Sequence, residues 1–245
     1  MVQRITISAE QKKRDLFYLE PDQIHYLRRV LRLSAGDRFI AQDGSGTQWL
    51  AALSEQSDQA KVIKTLATAE QAIPTAPLRL IAALPKGNTF DQVVRQATEL
   101  GVSHIYPVIS DHTLLKPKGN RLERWRRIAQ EASEQSERLT VPNIYPPTPL
   151  VTCLKQADWE DLRYICAARR NSPHLLQKLQ LDLTLDGLLG VTLMVGPEGG
   201  WTDDEITVAI REGYEVVALG SVILRSVTAS ITALSLVTSA RELLI

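Results

Sequence analysis

From residue 78 to its end the chain alternates short apolar runs with stretches of helical periodicity, and few folds accommodate that pattern. LRLIAALP (78–85) reads as a strand buried on both faces. TFDQVVRQATEL follows with Phe90, Val93, Val94, Ala97 and Leu100 at helical spacing, and Gly101 stands where a helix C′ residue belongs. HIYPVI (104–109), RYICAA (163–168), VTLMV (191–195) and EVVALG (215–220) are further apolar runs of strand length. NRLERWRRIAQEASEQSERL (120–139) predicts a long helix with Asn120 as N-cap. Thr202-Asp-Asp-Glu205 is a capping box that opens a helix at Asp203, and a last helix near 227–243 is apolar at Ile231, Leu234 and Leu244. Strands separated by helices cannot pair as hairpins, so the expectation is an α/β domain with a mostly parallel sheet covered by helices.

Residues 1 to about 70 are written differently. IHYLRRVLRL (24–33) places Ile24, Leu27, Val30 and Leu31 on one helical face and Arg28, Arg29 and Arg32 off it. RFIAQ and TQWLAAL flank DGSG (43–46), a hairpin-type turn, and KVIKTL (61–66) is another strand candidate. This predicts a small β-rich module carrying one basic helix. AIPTAP (72–77), with two prolines in six residues, is read as the linker. The domains are therefore expected at 1–72 and 73–245.

The start, MVQRITISAE, has no apolar signal core, and no stretch approaches the roughly 18 to 20 apolar residues of a membrane span. Cys153 and Cys166 are too few for a disulfide framework or a Cys-rich zinc site and suit a reducing, cytoplasmic setting. His25, His104, His112 and His174 are scattered without metal-ligand spacing, so no metal is expected. The formal net charge of zero is an average. Residues 1–140 carry a balance of +4 and 141–245 one of −4, and KPKGNRLERWRR (116–127) holds six basic residues against one acidic. Local fields bind phosphate, so a nucleic-acid partner stays open beside a plain solvated helix face.

Two segments have the form of ligand loops. In VGPEGGWTDDE (195–205) a strand runs through Gly-Pro-Glu-Gly-Gly into a capped helix, and Gly196, Gly199 and Gly200 let backbone approach a ligand, although on spacing alone a plain βα turn fits equally well. The spacing is neither a dinucleotide fingerprint nor a P-loop, which argues against a nicotinamide dehydrogenase. In LGSVILRSVTAS (219–230) an isolated Arg225 stands in an apolar loop between strand and helix. It either pairs with Glu198 or Glu99 or holds an anionic or developing-negative group.

These two segments, with LPKGNTFDQVVRQATELG (84–101) and EQSER (134–138), resemble the RsmE family of SPOUT-superfamily methyltransferases, which methylate N3 of a decoding-region uridine in 16S rRNA. HYLRRVLRLSAGDRF (25–39) and DGSG resemble the family's PUA-like RNA-binding module. The resemblance implies a C-terminal trefoil knot, a homodimer, and S-adenosylmethionine held mainly by backbone groups of three loops. On this chain those loops are Leu84; Val195, Gly196, Pro197, Glu198, Gly199 and Gly200; and Leu219, Gly220, Ile223, Leu224 and Arg225 with Thr228 and Ala229. The chemistry implied is removal of the imide N3 proton and alignment of the nitrogen with a sulfonium methyl. Arg225 would stabilise charge on the flanking carbonyl oxygens, and Glu198 or Glu99 would take the proton. The RNA surface would combine Arg28, Arg29 and Arg32 with Lys86, Arg121, Arg124, Arg127 and Arg138 of the catalytic domain. The family pattern ILR-x-Glu-Thr-Ala is broken by Val227, and its Lys before (Ala/Val)-Thr-Glu by Gln96. A knotted methyltransferase for another RNA or base, and a non-catalytic ribosome-assembly factor, are the alternatives.

Overall fold

The computed structural model describes residues 3–68, 76–113, 120–156, 160–168, 171–183 and 189–243. The AIPTAP linker up to Thr75, the KPKG of the basic run and Leu244 lie outside the described residues. The chain divides into two compact units, Met1–Pro74 with Ser133–Val141, and Thr75–Ala132 with Pro142–Ile245.

The first unit is built on β1 (Arg4–Thr6), β2 (Lys12–Lys13), β3 (Leu16–Tyr18), a short α1 (Pro21–Ile24), β4 (Arg38–Gln42), β5 (Gln48–Leu53) and β6 (Gln59–Ala67). The strands form one sheet in the order β1-β4-β5-β6-β3-β2, antiparallel except for β1 beside β4. Phe17, Leu27, Phe39, Ala41, Ala51 and Ala60 are fully buried in its core. The β4–β5 connection is the turn expected at DGSG: the Asp43 carboxylate accepts from the Ser45 and Thr47 N–H groups at 2.8 and 2.9 Å.

The basic helix departs from expectation. After α1 the chain is π-helical over His25–Val30, and Leu31 N–H donates to the Tyr26 carbonyl five residues back. A wider turn rotates later residues off the α-helical face. Leu27 therefore stays fully buried while Val30, expected beside it, is 56% exposed. A second finding is the chain segment 133–141, which the sequence placed in the catalytic domain but which belongs to this unit. Thr6 N–H donates to Glu134 Oε1 at 2.6 Å, Arg4 pairs with Glu137 at 2.8 Å, and Val141 N–H donates to the Gly44 carbonyl.

The second unit comprises β7 (Leu78–Ala83), α2 (Phe90–Glu99), β8 (His104–Ile109), α3 (Arg121–Gln135), β9 (Asn143–Ile144), β10 (Thr148–Pro149), α4 (Leu150–Lys155), β11 (Asp161–Cys166), α5 (Leu175–Asp182), β12 (Gly190–Val195), α6 (Asp203–Arg211), β13 (Glu215–Val217) and α7 (Ser226–Glu242). The last residues of α3 run into segment 133–141. The sheet order is β10-β8-β7-β12-β11-β13, with β9 also on β8, and every pairing is parallel. One face buries Ile81, Ala83, Val108, Ile165 and Met194 against Leu150 and Leu154 of α4 and Ile206 and Ala209 of α6. α7 packs on α2, α5 and β12, which accounts for its buried Ala233, Leu234 and Val237. Every residue of β12 is buried, as in a strand covered on both faces, and its one polar side chain, Thr192, donates to Asp161 Oδ2.

Candidate cofactor cleft

All the strands of the second unit point the same way, so the loops leaving their carboxyl ends converge, and open parallel sheets bind ligands there. A cleft of about 520 Å3 lies at the ends of β11, β12 and β13. One wall is the turn after β12. The Gly200 N–H closes it on the Pro197 carbonyl at 2.9 Å, and Gly200 takes φ +71°, which a side chain disfavours. The other wall is the segment after β13, where Gly220 has φ +140° and Val222 and Ile223 are 70% and 58% exposed. Its start is pinned by Ala218, whose N–H donates to the Pro173 carbonyl and whose carbonyl accepts from Leu175 N–H.

The loop after β12 is braced from outside. Thr202 and Glu205 form the predicted capping box, with Glu205 N–H to Thr202 Oγ1 at 3.2 Å and Thr202 N–H to Glu205 Oε2 at 2.8 Å. Trp201 packs against Gly196, where a Cβ would come within 3.3 Å of the indole, so a larger residue there would push the ring. The buried indole Nε1 has no hydrogen-bond acceptor among the described residues.

Eleven of the fourteen residues expected at the cofactor are in the cleft wall: Val195 to Gly200, Leu219, Gly220, Ile223, Leu224 and Ala229. Leu84 is not. Its side chain is 1% exposed and its N–H donates to the Val108 carbonyl, so it belongs to the core; its loop reaches the wall through Lys86 N–H, which donates to Glu198 Oε1 at 3.2 Å. Arg225 and Thr228 are exposed on the first turn of α7, outside the wall itself. Arg225 has no ion pair among the described residues, which removes the expected partnership with Glu198 or Glu99 and leaves its guanidinium available.

Glu99 is a correction. It ends α2, and the next carbonyl, of Leu100, accepts from Thr238 near the far end of α7. About 13 Å of helix separates Thr238 from Ala229 in the cleft wall, at 1.5 Å per residue. Glu99 thus lies toward the opposite end of the sheet, where it cannot serve this cleft within one chain. Val227 is half-buried on the first turn of α7, and Gln96 carries a buried Oε1 without a donor among the described residues.

The expected phosphate-binding residues separate into free and committed ones. Arg28 is committed: its guanidinium donates to the Ser54, Gln56 and Ser57 carbonyls and braces the β5–β6 turn. Arg124 is held by Asp91 at 2.7 Å, Arg127 by Glu131 at 3.5 Å, and Arg121 donates to the Gly87 carbonyl. Arg138 sits in the first unit rather than the catalytic one, and burial lowers its pKa to about 10. Arg29, Arg32 and Lys86 are exposed with no side-chain partner among the described residues.

The sequence reading missed the third side of the cleft, Cys166 to Ala168 at the end of β11, together with Trp201 and Ser226. RYICAA reads as a strand, and its carboxyl end is the available signal. Burial pushes the Cys166 thiol up to about 12, so it is a neutral wall group. Among the described residues no group of three or more His, Cys, Asp or Glu side chains could hold a metal ion.

The residues present suit a nucleoside-sized cofactor: the volume falls within the range of small-molecule pockets, the wall offers backbone polar groups between Val195, Leu219, Ile223 and Leu224, and Glu198 is its single charged side chain among the described residues. Comparison with known proteins agrees. An RNA methyltransferase domain family matches residues 71–238 and an RNA methyltransferase PUA domain family matches 19–65. The Synechocystis ribosomal RNA small subunit methyltransferase E is 41% identical over 245 residues, covering 99% of this chain and 79% of its own length. The protein of that name from Rickettsia conorii is 28% identical, over 95% and 93%. Among solved structures, a ribosomal RNA small subunit methyltransferase E from Neisseria gonorrhoeae bound to S-adenosyl methionine matches with a TM-score of 0.82 at 28% identity, over 98% of each chain. A putative methyltransferase from Legionella pneumophila, in complex with the same cofactor, matches at 0.84 and 26%, again over 98% of each. The second unit thus has the SPOUT trefoil-knot methyltransferase fold and the first a PUA-like fold, and the chain belongs to the ribosomal RNA small subunit methyltransferase E family.

Proposed function

We propose that this chain uses S-adenosylmethionine to methylate N3 of one uridine in the decoding region of 16S rRNA. The observation that carries this reading is the glycine-lined cleft at the ends of β11, β12 and β13, in a chain whose relatives of the same fold were solved with that cofactor bound. Bound S-adenosylmethionine supplies an activated, electrophilic methyl group. The protein's own residues do the rest. The Val195–Gly200 and Leu219–Leu224 walls hold the donor by backbone groups, with Ala229 at the start of α7 beside them. Arg225, exposed and unpaired at the N-cap of α7 among the described residues, stabilises the charge that spreads onto the uracil carbonyl oxygens as N3 loses its proton. Glu198 takes that proton in this reading, which its charge in the cleft wall and the Lys86 N–H donated to its Oε1 support.

Residues 1–72, with segment 133–141 in the same unit, supply RNA binding and the rest of 73–245 catalysis in this reading, with Arg29, Arg32 and Lys86 as the phosphate contacts. These contacts carry no sequence information, so selection of the uridine rests on rRNA shape and on taking the base out of its stack. A homodimer acting in the cytoplasm on the small ribosomal subunit completes the reading; no helix among the described residues is long and apolar enough to cross a membrane. The test is incubation of small subunits from cells lacking the protein with methyl-labelled S-adenosylmethionine. Label in 16S rRNA is expected, and label confined to another RNA would refute the substrate.

A further inference from the structure

We propose that His112, a residue outside the cleft wall, positions the cofactor loop from behind by fixing the Gly200 carbonyl. The inference rests on the reading of the cleft as an S-adenosylmethionine site. His112 follows β8 in a tight turn, Ser110–Thr113, in which Thr113 N–H donates to the Ser110 carbonyl at 2.9 Å and Ser110 N–H to Thr113 Oγ1 at 3.0 Å. The turn is joined to the far side of the loop. Asp111 N–H donates to Glu205 Oε1 at 2.9 Å, and the same carboxylate, 7% exposed, caps α6 through its other oxygen. With its base so anchored, the His112 ring presents Nδ1 to the Gly200 carbonyl oxygen at 3.1 Å.

A carbonyl oxygen only accepts, so Nδ1 carries the proton in this contact. His112 also stands close against Gly199, where a Cβ would lie 2.9 Å from His112 Cβ and 3.3 Å from Nδ1. The partner it holds is the one that needs holding. Gly199 and Gly200 are consecutive residues without Cβ, the most mobile kind of backbone, and Gly200 is in the left-handed region. Their peptide groups line the cleft. A donor fixed to the Gly200 carbonyl selects one orientation of the following peptide before the cofactor arrives, and ordering a loop in advance raises affinity by removing an entropic cost from binding.

The test is calorimetric titration of S-adenosylmethionine into the full chain, wild type, His112→Ala and His112→Asn, with the methyl-transfer kinetics and melting temperature of each. One hydrogen bond at stake corresponds to a loss of affinity of about five- to tenfold for His112→Ala. The KM for S-adenosylmethionine rises by the same factor, while kcat at saturating cofactor stays within about twofold, because His112 touches no reacting group. Asparagine, whose Nδ2 lies near the position of the imidazole Nδ1, restores most of the loss. Wild-type affinity in His112→Ala overturns the proposal. So does an equal loss in His112→Asn and His112→Ala accompanied by a lowered melting temperature, which would mean that the ring only fills space. Failure of the wild type itself to bind S-adenosylmethionine would instead sink the cofactor reading of the cleft, and this inference with it.

Discussion

Replacing Gly199 by alanine isolates what the closeness of the cofactor loop to its support is worth. The glycine has an ordinary backbone conformation, so the added methyl acts through space alone. A Cβ at 199 falls 2.9 Å from His112 Cβ and 3.1 Å from its Cγ. Carbon atoms rest at about 3.5 to 4.0 Å, so the overlap approaches 1 Å. The first of those atoms is a Cβ, tied to the main chain of the β8 turn, and no rotamer change moves it. Overpacking of this size costs about 1 to 3 kcal/mol. Carried by the loop in the bound state, that weakens S-adenosylmethionine binding by about five- to 150-fold. Gly200→Ala is the comparison, since a Cβ there meets nothing within 4 Å and the penalty is the left-handed φ of +71° alone, about 1 to 2 kcal/mol. Calorimetric titration of both variants, with melting curves to separate loss of fold from loss of site, reads the difference. Gly199→Ala binding within twofold of wild type would refute the argument, because the loop would then be free to step away from its support.

Four further outcomes follow from side chains already placed. Arg225→Ala should lower kcat by about 100- to 1,000-fold with cofactor affinity unchanged, as removal of a group that stabilises developing charge does; parallel loss of affinity would make it a binding residue instead. Arg29→Glu with Arg32→Glu should weaken RNA binding and flatten its salt dependence by about one unit per lost phosphate contact, leaving S-adenosylmethionine affinity intact. Arg28→Ala, which strips a donor from three carbonyls, should instead show as a lower melting temperature. Because burial raises the Cys166 thiol to about 12, it remains protonated throughout pH 6 to 9. Cys166→Ser should therefore leave the pH profile of methyl transfer unchanged, and a thiol reagent should react with the native protein far more slowly than with the unfolded one; rapid native reaction at pH 8 would contradict the neutral assignment.

The parts of this molecule that could be read from its sequence are those fixed by local chemistry. The capping box at Thr202 and Glu205, the Asp43 turn, and the apolar runs of β7, β8, β11 and β12 each follow from neighbours a few residues apart. The glycine loop is legible as a strand-to-helix turn with exposed backbone, but spacing alone fits a plain βα turn as well as a ligand wall. What escaped the sequence reading depends on contacts between distant segments or on backbone choices without a residue signature. The π-helical turns after Ile24 moved Val30 to the surface although its spacing was right for burial. Arg28 looked like its neighbours Arg29 and Arg32, and only the fold brings three carbonyls to it. Segment 133–141 continues a helix from one unit and packs with the other, which no local pattern announces. Glu99 lay in a motif beside catalytic candidates, yet a ten-residue helix carries it away from the strand ends. His112 has no motif around it, and its partner is a backbone oxygen 88 residues distant.

The central claim, that this cleft serves methylation of a single uridine nitrogen, is tested most directly by the identity of the product. Small subunits methylated by the protein would be digested to nucleosides, the labelled species identified by mass spectrometry, and its position found by where the methyl group halts reverse transcription of 16S rRNA. N3-methyluridine is expected at one decoding-region position, absent without the protein or without S-adenosylmethionine. Label in a different nucleoside, or spread over many positions, would contradict it.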